Sequence, residues 1–562
     1  MAYGVPQRPE LEGPPGAAAR TVPLTGLRIV AGAPPEQRWI LDGDALAYLV
    51  RLTRRFAADR ERILRDRALA RSHHREGAPR RAPPAERELR DPGWTVARLP
   101  SELEGHGVEL TGGVDRWSVL RGLNARAGLF VADFEDLHSP TWAATLQGHI
   151  NLADAVHRSL EVHDDEGQRF RLVSRPAALM VRPRGWHLVE GHLLLDGRAV
   201  PASFFDFAVY VSHNARELRR RGSGLYFQLA GLEHAAEARL WSDVFRFTEE
   251  DLGVPRGSIR ASVTVDTVPA ALELDGILHA LRFHSAGLVA HRWAYLFSFI
   301  KWFQERPEAV LPERRALTTD TPILASYYRR IVTACQRRRA WAIGEIAVDP
   351  PPANGASREV AEAAGVEREA LAMRRLGFDA ISASQPCLVP LLEEWFVPAP
   401  MGEGPVPEDP DEDLLAAPIA PMAEPASVSD VQANVRRTLA YLTNWFQGVG
   451  NVAVDGRPED TSSVELARAQ LWQWVHHPTP DRPGAWVTSE LVRRTVREET
   501  HRLVGDDEAP TSAGRAAVRS AQLLDELVND PEPVEQFALR AYNDLERTYL
   551  SGGIAPHPRR PA

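Results

Sequence analysis

The sequence predicts an α/β protein, a long core of alternating strands and helices followed by a helical C-terminal domain. Between about residues 105 and 390, short apolar runs end in a polar or charged residue and give way to longer segments of helical character. The runs are apolar throughout rather than alternating, as strands buried on both faces are. Beyond about residue 427 the helical period takes over. Strands alternating with helices over such a length fit a (β/α)8 barrel or an open doubly wound sheet. Periodicity does not choose between the two.

Taken in order, residues 1–40 read as an irregular leader rich in Pro and Gly. From Asp44, the residues Leu49, Leu52, Phe56 and Ile63 recur at near-helical spacing among Arg and Asp, which predicts an amphipathic helix. His73 to Pro92 is charged and broken by prolines, as a mobile connection is. The strand-like runs include Leu129-Phe130-Val131 before Asp133 and Ala178-Leu179-Met180-Val181 before Arg182. Two more are Ala261 to Val265 before Asp266, and Ala342-Ile343 before Gly344 and Glu345. Pro, Gly and acids crowd between Pro398 and Pro425, the composition of a linker. Helices are predicted over Val428 to Phe446, Ser463 to His476, Thr488 to Val504 and Ser512 to Leu527. The divisions are thus 1–104, 105–397 for the α/β core, a linker at 398–426, and 427–562.

Composition excludes several classes. With 44% apolar and 25% charged residues, the chain has the profile of a soluble globular protein. The net charge of −10 and the dispersed arginines argue against a nucleic-acid partner, which needs a concentrated basic face. The short clusters Arg219 to Arg221 and Arg337 to Arg339 read as solvated helix faces. Cys335 and Cys387 lie in no metal or disulfide spacing, so a reducing cytoplasm is expected. No signal peptide and no run of about 18 apolar residues is present, so no membrane partner is expected. A monomer or small homo-oligomer fits this reading.

No GxGxxG, Walker loop, GxSxG elbow or HExxH helix occurs, which removes nucleotide-loop, serine-hydrolase and zincin readings. Three stretches carry more information. One runs from Val131-Ala132-Asp133-Phe134-Glu135-Asp136 through Ser139-Pro140-Thr141-Trp142 to Gly148-His149-Ile150-Asn151-Leu152-Ala153-Asp154-Ala155-Val156. The second is Arg182-Pro183-Arg184-Gly185-Trp186-His187-Leu188, and the third joins Glu459-Asp460 to Glu465, Arg468 and Leu471-Trp472-Gln473-Trp474. Together they resemble the A-type malate synthases, whose recurrent patterns are DFED-SP-W-GQINL-DAV, RPRGWHL and MEDAATAEISR-QWIHH. Matching stretches such as Phe205-Asp206-Phe207, His213-Asn214-Ala215 and Phe297-Ser298-Phe299-Ile300-Lys301 extend the resemblance from about 40 to 510. It implies a TIM barrel with an N-terminal helical clasp and a C-terminal helical domain capping the active site. The barrel is thereby preferred to the open sheet.

The resemblance also implies roles. Arg182 matches the arginine that stabilises charge on the reacting oxygens, a task suited to a permanently charged planar fork of donors. Asp460 matches the base that removes a methyl proton from acetyl-CoA, although Met-Glu-Asp-Ala-Ala-Thr has become Pro458-Glu459-Asp460-Thr461-Ser462-Ser463. In a loop of this composition an isolated Asp is otherwise a turn or helix cap. Asp133, Glu135 and Asp136 match acids near the metal that hold its waters, or else cap and bridge after the strand. His187, His476 and His477 are read as structural or CoA-proximal groups.

At the metal the sequence departs from the pattern. The family holds Mg²⁺ with the glutamate of IET and the aspartate of GRWDY, and the ion polarises the glyoxylate aldehyde. Here the motifs read Val265-Asp266-Thr267 and His291-Arg292-Trp293-Ala294-Tyr295. One ligand is shortened to Asp266 and the other is replaced by Ala294, with Glu345 and His291 as possible substitutes. The function implied is a Claisen-type condensation of acetyl-CoA with glyoxylate, or a related 2-oxo acid or aldehyde, giving malate and CoA. The rival reading is a silent homologue that binds CoA or a metabolite.

Overall fold

The computed structural model describes residues 24–75, 86, 89, 93–346, 356–396, 426–477, 487–505 and 511–551. The expected linker at 398–426 lies almost wholly outside them, as does most of the proline-broken connection.

Eight parallel strands close into a barrel in sequence order: β1 Val108–Gly113, β2 Leu129–Asp133, β3 Ala178–Arg182, β4 Leu225–Leu229, β5 Ile259–Val265, β6 Ser285–Ala290, β7 Ala342–Glu345 and β8 Ala380–Ala383. Closure comes from the pairing of β8 with β1, through Ile381 and Val108. Alternate side chains divide between two cores. Leu129, Val131, Ala178, Met180, Val289 and Ile343 fill the barrel interior. Phe130, Ala132, Leu179, Val181, Val263 and Val265 pack outward against the surrounding helices. The register sets Asp133 beside Arg182 across β2 and β3, so the two strands end level.

The first helix, α1 (Gly43–Arg75), lies along the outside of the barrel. Tyr48 meets Thr248 at 2.7 Å, and Arg60 Nε donates to the Trp186 carbonyl at 2.6 Å. The region expected to be an irregular leader contains a short strand, Leu27–Ile29, paired with Val189–Leu195, and a 3-10 helix, Pro35–Leu41. The strand is made by a partner distant in sequence, which local pattern does not reveal. The reading of Arg337 to Arg339 as a solvated face is corrected at Arg338. Its side chain is fully buried and Nε donates to Asp275 at 2.6 Å, an ion pair that makes burial of the charge tolerable.

After β6 comes α2 (Arg292–Trp302). The C-terminal part contributes α3 (Val428–Trp445), α4 (Thr461–His476), α5 (Ser489–Val504), α6 (Ser512–Asn529) and α7 (Phe537–Ser551). α4 packs on α2. Polar contacts lock it there: Gln473 accepts from Leu311 N at 2.8 Å, and Trp474 Nε1 donates to Leu311 O at 2.9 Å. Thr461 N donates to Asp136 O at 3.1 Å, tying the start of α4 to the barrel mouth. No helix among the described residues is long and apolar enough to cross a membrane.

Candidate active site

The inner faces of the strands determine what reaches the mouth. On β2 the series Leu129, Val131 ends on Asp133, and on β3 Ala178, Met180 ends on Arg182. Past β5, Ser262 and Thr264 lead to Asp266; past β6, Val289 leads to His291; on β7, Ile343 leads to Glu345. A two-residue period thus delivers a cation, two aspartates, a glutamate and an imidazole to the C-terminal end of one barrel, where barrel enzymes keep their chemistry. A cavity of about 200 Å³ opens there, lined among others by Asp133, Asp136, Arg182, His291, Glu345 and Asp460.

Arg182 is the hub. Its Nη1 donates to Asp133 Oδ2 at 3.2 Å, while Nη2 lies 2.7 Å from Asp136 Oδ2 and 3.9 Å from Asp266 Oδ2. Burial works against all of these charges: it pushes the Asp133 carboxyl up to about 6 and raises Asp136 and Asp266 as well, with Arg182 opposing the shift. Asp133 Oδ1 also accepts Glu135 N at 2.6 Å and Asp136 N at 3.0 Å, so it caps the turn after the strand. Glu135 turns away and accepts Gly185 N at 2.8 Å, and burial pushes it up to about 8.

Asp460 arrives on the helical cap. It is the N-cap residue of α4, with Oδ1 accepting Ser463 N at 2.8 Å. Capping and cavity exposure coexist because capping uses only Oδ1; among the described residues no hydrogen-bond donor reaches Oδ2. Burial, then the nearby Asp136, raise the Asp460 carboxyl above the usual carboxylate range, which makes it a stronger base. The preceding Glu459 anchors the segment. It accepts Arg314 at 2.8 and 2.7 Å, Arg437 at 2.8 Å and Ser463 Oγ at 2.7 Å. Arg314, Arg437 and Ser462 belong to the site's framework without any local sequence signal that identifies them.

The remaining expected residues fall as follows. Ala294 sits in the first turn of α2 and does not line the cavity. Glu345 is engaged: Oε1 accepts Arg292 N at 2.5 Å and the Tyr328 hydroxyl at 3.3 Å, and burial pushes it up to about 7. His291 Nε2 lies 3.2 Å from Ser462 Oγ and 3.9 Å from Asp136 Oδ2. Burial, then Arg182, drive its pKa down to about 3, so the ring is neutral. His476 and His477 bond the backbone carbonyls of Trp472 and Gln304, at 2.9 and 2.6 Å. His187 is half-buried, 3.5 Å from Glu135, and outside the cavity lining.

An arginine balanced among carboxylates at the mouth of a TIM barrel, with a further carboxylate lowered onto it by a helical domain, defines an enzyme of the acid–base barrel class. Residues 178–405 match the model "Malate synthase, TIM barrel domain", and 426–545 match "Malate synthase, C-terminal". The chain is 36% identical to malate synthase of Myxococcus xanthus over 519 residues, covering 91% of this chain and 95% of the relative. It is 37% identical to malate synthase of Streptomyces clavuligerus, covering 92% and 98%, and 33% identical to malate synthase A of Escherichia coli, covering 91% and 96%. The chain belongs to the malate synthase family.

The magnesium expected from that membership does not fit the donors present. Asp266 Oδ2 accepts Gly231 N at 2.7 Å, and its Oδ1 is buried without a hydrogen bond. That orphan oxygen would supply one donor, but position 294 offers a methyl group, Glu345 is held by Arg292, and the acids around the mouth are already balanced by Arg182. Among the described residues no group of three His, Cys, Asp or Glu is arranged to hold a metal ion. Mg²⁺ needs near-octahedral oxygen donors at about 2.1 Å.

Proposed function

We propose that this chain condenses acetyl-CoA with glyoxylate to give malate and CoA, with Asp460 as base and Arg182 as the charge-balancing cation. Asp460 Oδ2 takes a proton from the thioester methyl group, leaving an enolate. The enolate carbon attacks the aldehyde carbon of glyoxylate, forming the carbon–carbon bond and an alkoxide that is then protonated. Water attacks the resulting thioester, releasing CoA as the thiol and malate as the acid.

The observation that carries this reading is that Arg182 and Asp460, from a barrel strand and from the helical cap, line one cavity. Proton abstraction from so weak an acid needs a base held close and a cation where the negative charge grows. A fixed guanidinium provides the second without reorganising. Both cysteines are free thiols, which accords with a cytoplasmic setting. The test is release of CoA thiol on mixing the protein with acetyl-CoA and glyoxylate, with and without Mg²⁺. Turnover in the wild type and its loss in Asp460→Asn support the reading; an inert wild type under both conditions overturns it.

A further inference from the structure

Ser462 and His291 come from opposite sides of the active-site seam, one from the first turn of α4 and the other from the end of β6. The Ser462 hydroxyl donates to Asp460 Oδ1 at 2.9 Å. A hydroxyl has one proton, so toward His291 Nε2, at 3.2 Å, its oxygen is the acceptor. That order selects the ring tautomer with the proton on Nε2. A chain of donors therefore runs from His291 through Ser462 to Asp460.

The chain has a consequence at the carboxylate. Oδ1 receives two donors, Ser462 Oγ and Ser463 N, and is the less basic oxygen. Oδ2 keeps its lone pairs for a proton. Without His291 the Ser462 hydroxyl could rotate to another acceptor, and Asp460 would lose one of the two contacts that distinguish its oxygens. In the malate synthase motifs the residues matching His291 and Ser462 are glycine and alanine, neither of which can make this link. The two departures meet each other in space, and each is needed for the contact.

We propose that His291 is a positioning residue for the proton-abstraction step: by donating to Ser462 it directs the Ser462 hydroxyl onto Asp460 Oδ1 and holds Oδ2 as the proton acceptor. This rests on Asp460 being the base. Asp136 Oδ2 is 3.9 Å from the same ring nitrogen, too far to replace Ser462 as its hydrogen-bond partner.

The experiment measures kcat, KM for acetyl-CoA and the isotope effect with trideuterated acetyl-CoA in His291→Ala, Ser462→Ala, the double variant and His291→Gln. Misplacing a base is expected to lower kcat about ten- to a hundredfold in each single alanine variant, with KM unchanged and a larger isotope effect. The double variant should be no worse than the poorer single one, because both break the same chain. His291→Gln, whose amide reaches the place of Nε2, should recover most of kcat. Should alanine at 291 compromise folding, Ser462→Ala, which removes one oxygen, carries the test. Unchanged kcat in the folded alanine variants, or losses that multiply in the double variant, overturn the link. If Asp460→Asn is inert while His291→Ala and Ser462→Ala are fully active, the link alone is wrong; if Asp460→Asn retains turnover, the assignment of the base fails.

Discussion

Nη2 of Arg182 stands 2.7 Å from Oδ2 of Asp136, and this guanidinium is the cation that opposes the effect of burial on the acids beside it. Asp133 and Asp266 share the same guanidinium. In Arg182→Met these buried acids would be left uncompensated, which typically costs about 3–5 kcal/mol. Their folded-state affinity for protons is already raised by burial, to about 6 for Asp133. A raised folded pKa stabilises fully below the unfolded value and is lost as pH rises through the folded one. The variant's deficit should therefore be larger at pH 8 than at pH 5, measured by urea denaturation; an equal deficit would show that the cluster does not depend on Arg182 for charge balance.

Asp460→Asn separates the two tasks of that residue. Asparagine is as good an N-cap as aspartate, so α4 should persist and thermal stability should change by less than about 1 kcal/mol. The amide has no basic oxygen. Turnover of acetyl-CoA with glyoxylate should fall by at least about 100-fold while acetyl-CoA binding is retained, by kinetics and calorimetry respectively.

Glu135 makes a prediction about stability alone. Burial pushes it up to about 8 from an ordinary 4.5, so it folds protonated, and its contribution, full below about 4.5, fades as pH rises from there to about 8. Histidines 138 and 187 act on the other limb: burial takes both down to about 3, and the stability they permit above 6.5 is lost as pH falls toward 3. Glu135→Gln should leave stability below about pH 4 nearly unchanged, make the protein more stable than the wild type at pH 6 and above, and remove a slope of up to about 1.4 kcal/mol per pH unit between pH 5 and 8. Denaturant titrations across that range check it, and an unaltered slope would place the ionisation elsewhere.

How far the sequence carries depends on whether a feature is local. The apolar runs before Asp133, Arg182, Asp266 and Glu345 locate strands, because burial on both faces leaves a local pattern. The predicted helix over Ser463 to His476 begins at Thr461, two residues earlier, because Asp460 caps it. Barrel closure through β8 and β1 is a pairing of distant strands, and motif resemblance supplied it where periodicity did not. The same holds inside the site. Arg182 and Asp460 were legible from motifs, whereas the grip of Arg314 and Arg437 on Glu459 and the contact of His291 with Ser462 arise only when α4 docks on the barrel. Glu345 reads as free for a metal in the sequence because its bond to Arg292 N joins the end of β7 to the start of α2, residues far apart in the chain.

The misfit of magnesium leads to the last prediction. Position 294 is the third residue of α2, where an added aspartate would be favoured by the partial positive charge of the helix N-terminus. Ala294→Asp with Asp266→Glu restores two carboxylates of the lengths found in the IET and GRWDY motifs. Two anionic oxygens satisfy a small hard cation better than one short acid beside a guanidinium, because charge and inner-sphere geometry both improve. Mg²⁺ affinity should rise at least about tenfold over the wild type in calorimetric titrations, with no change for either protein when Mg²⁺ is replaced by Na⁺ at matched ionic strength. The acceptor side of the site is the part altered, so any gain in glyoxylate turnover should appear in KM for glyoxylate before KM for acetyl-CoA. Tight Mg²⁺ binding by the wild type would show that its own donors already complete a site, and would refute the misfit.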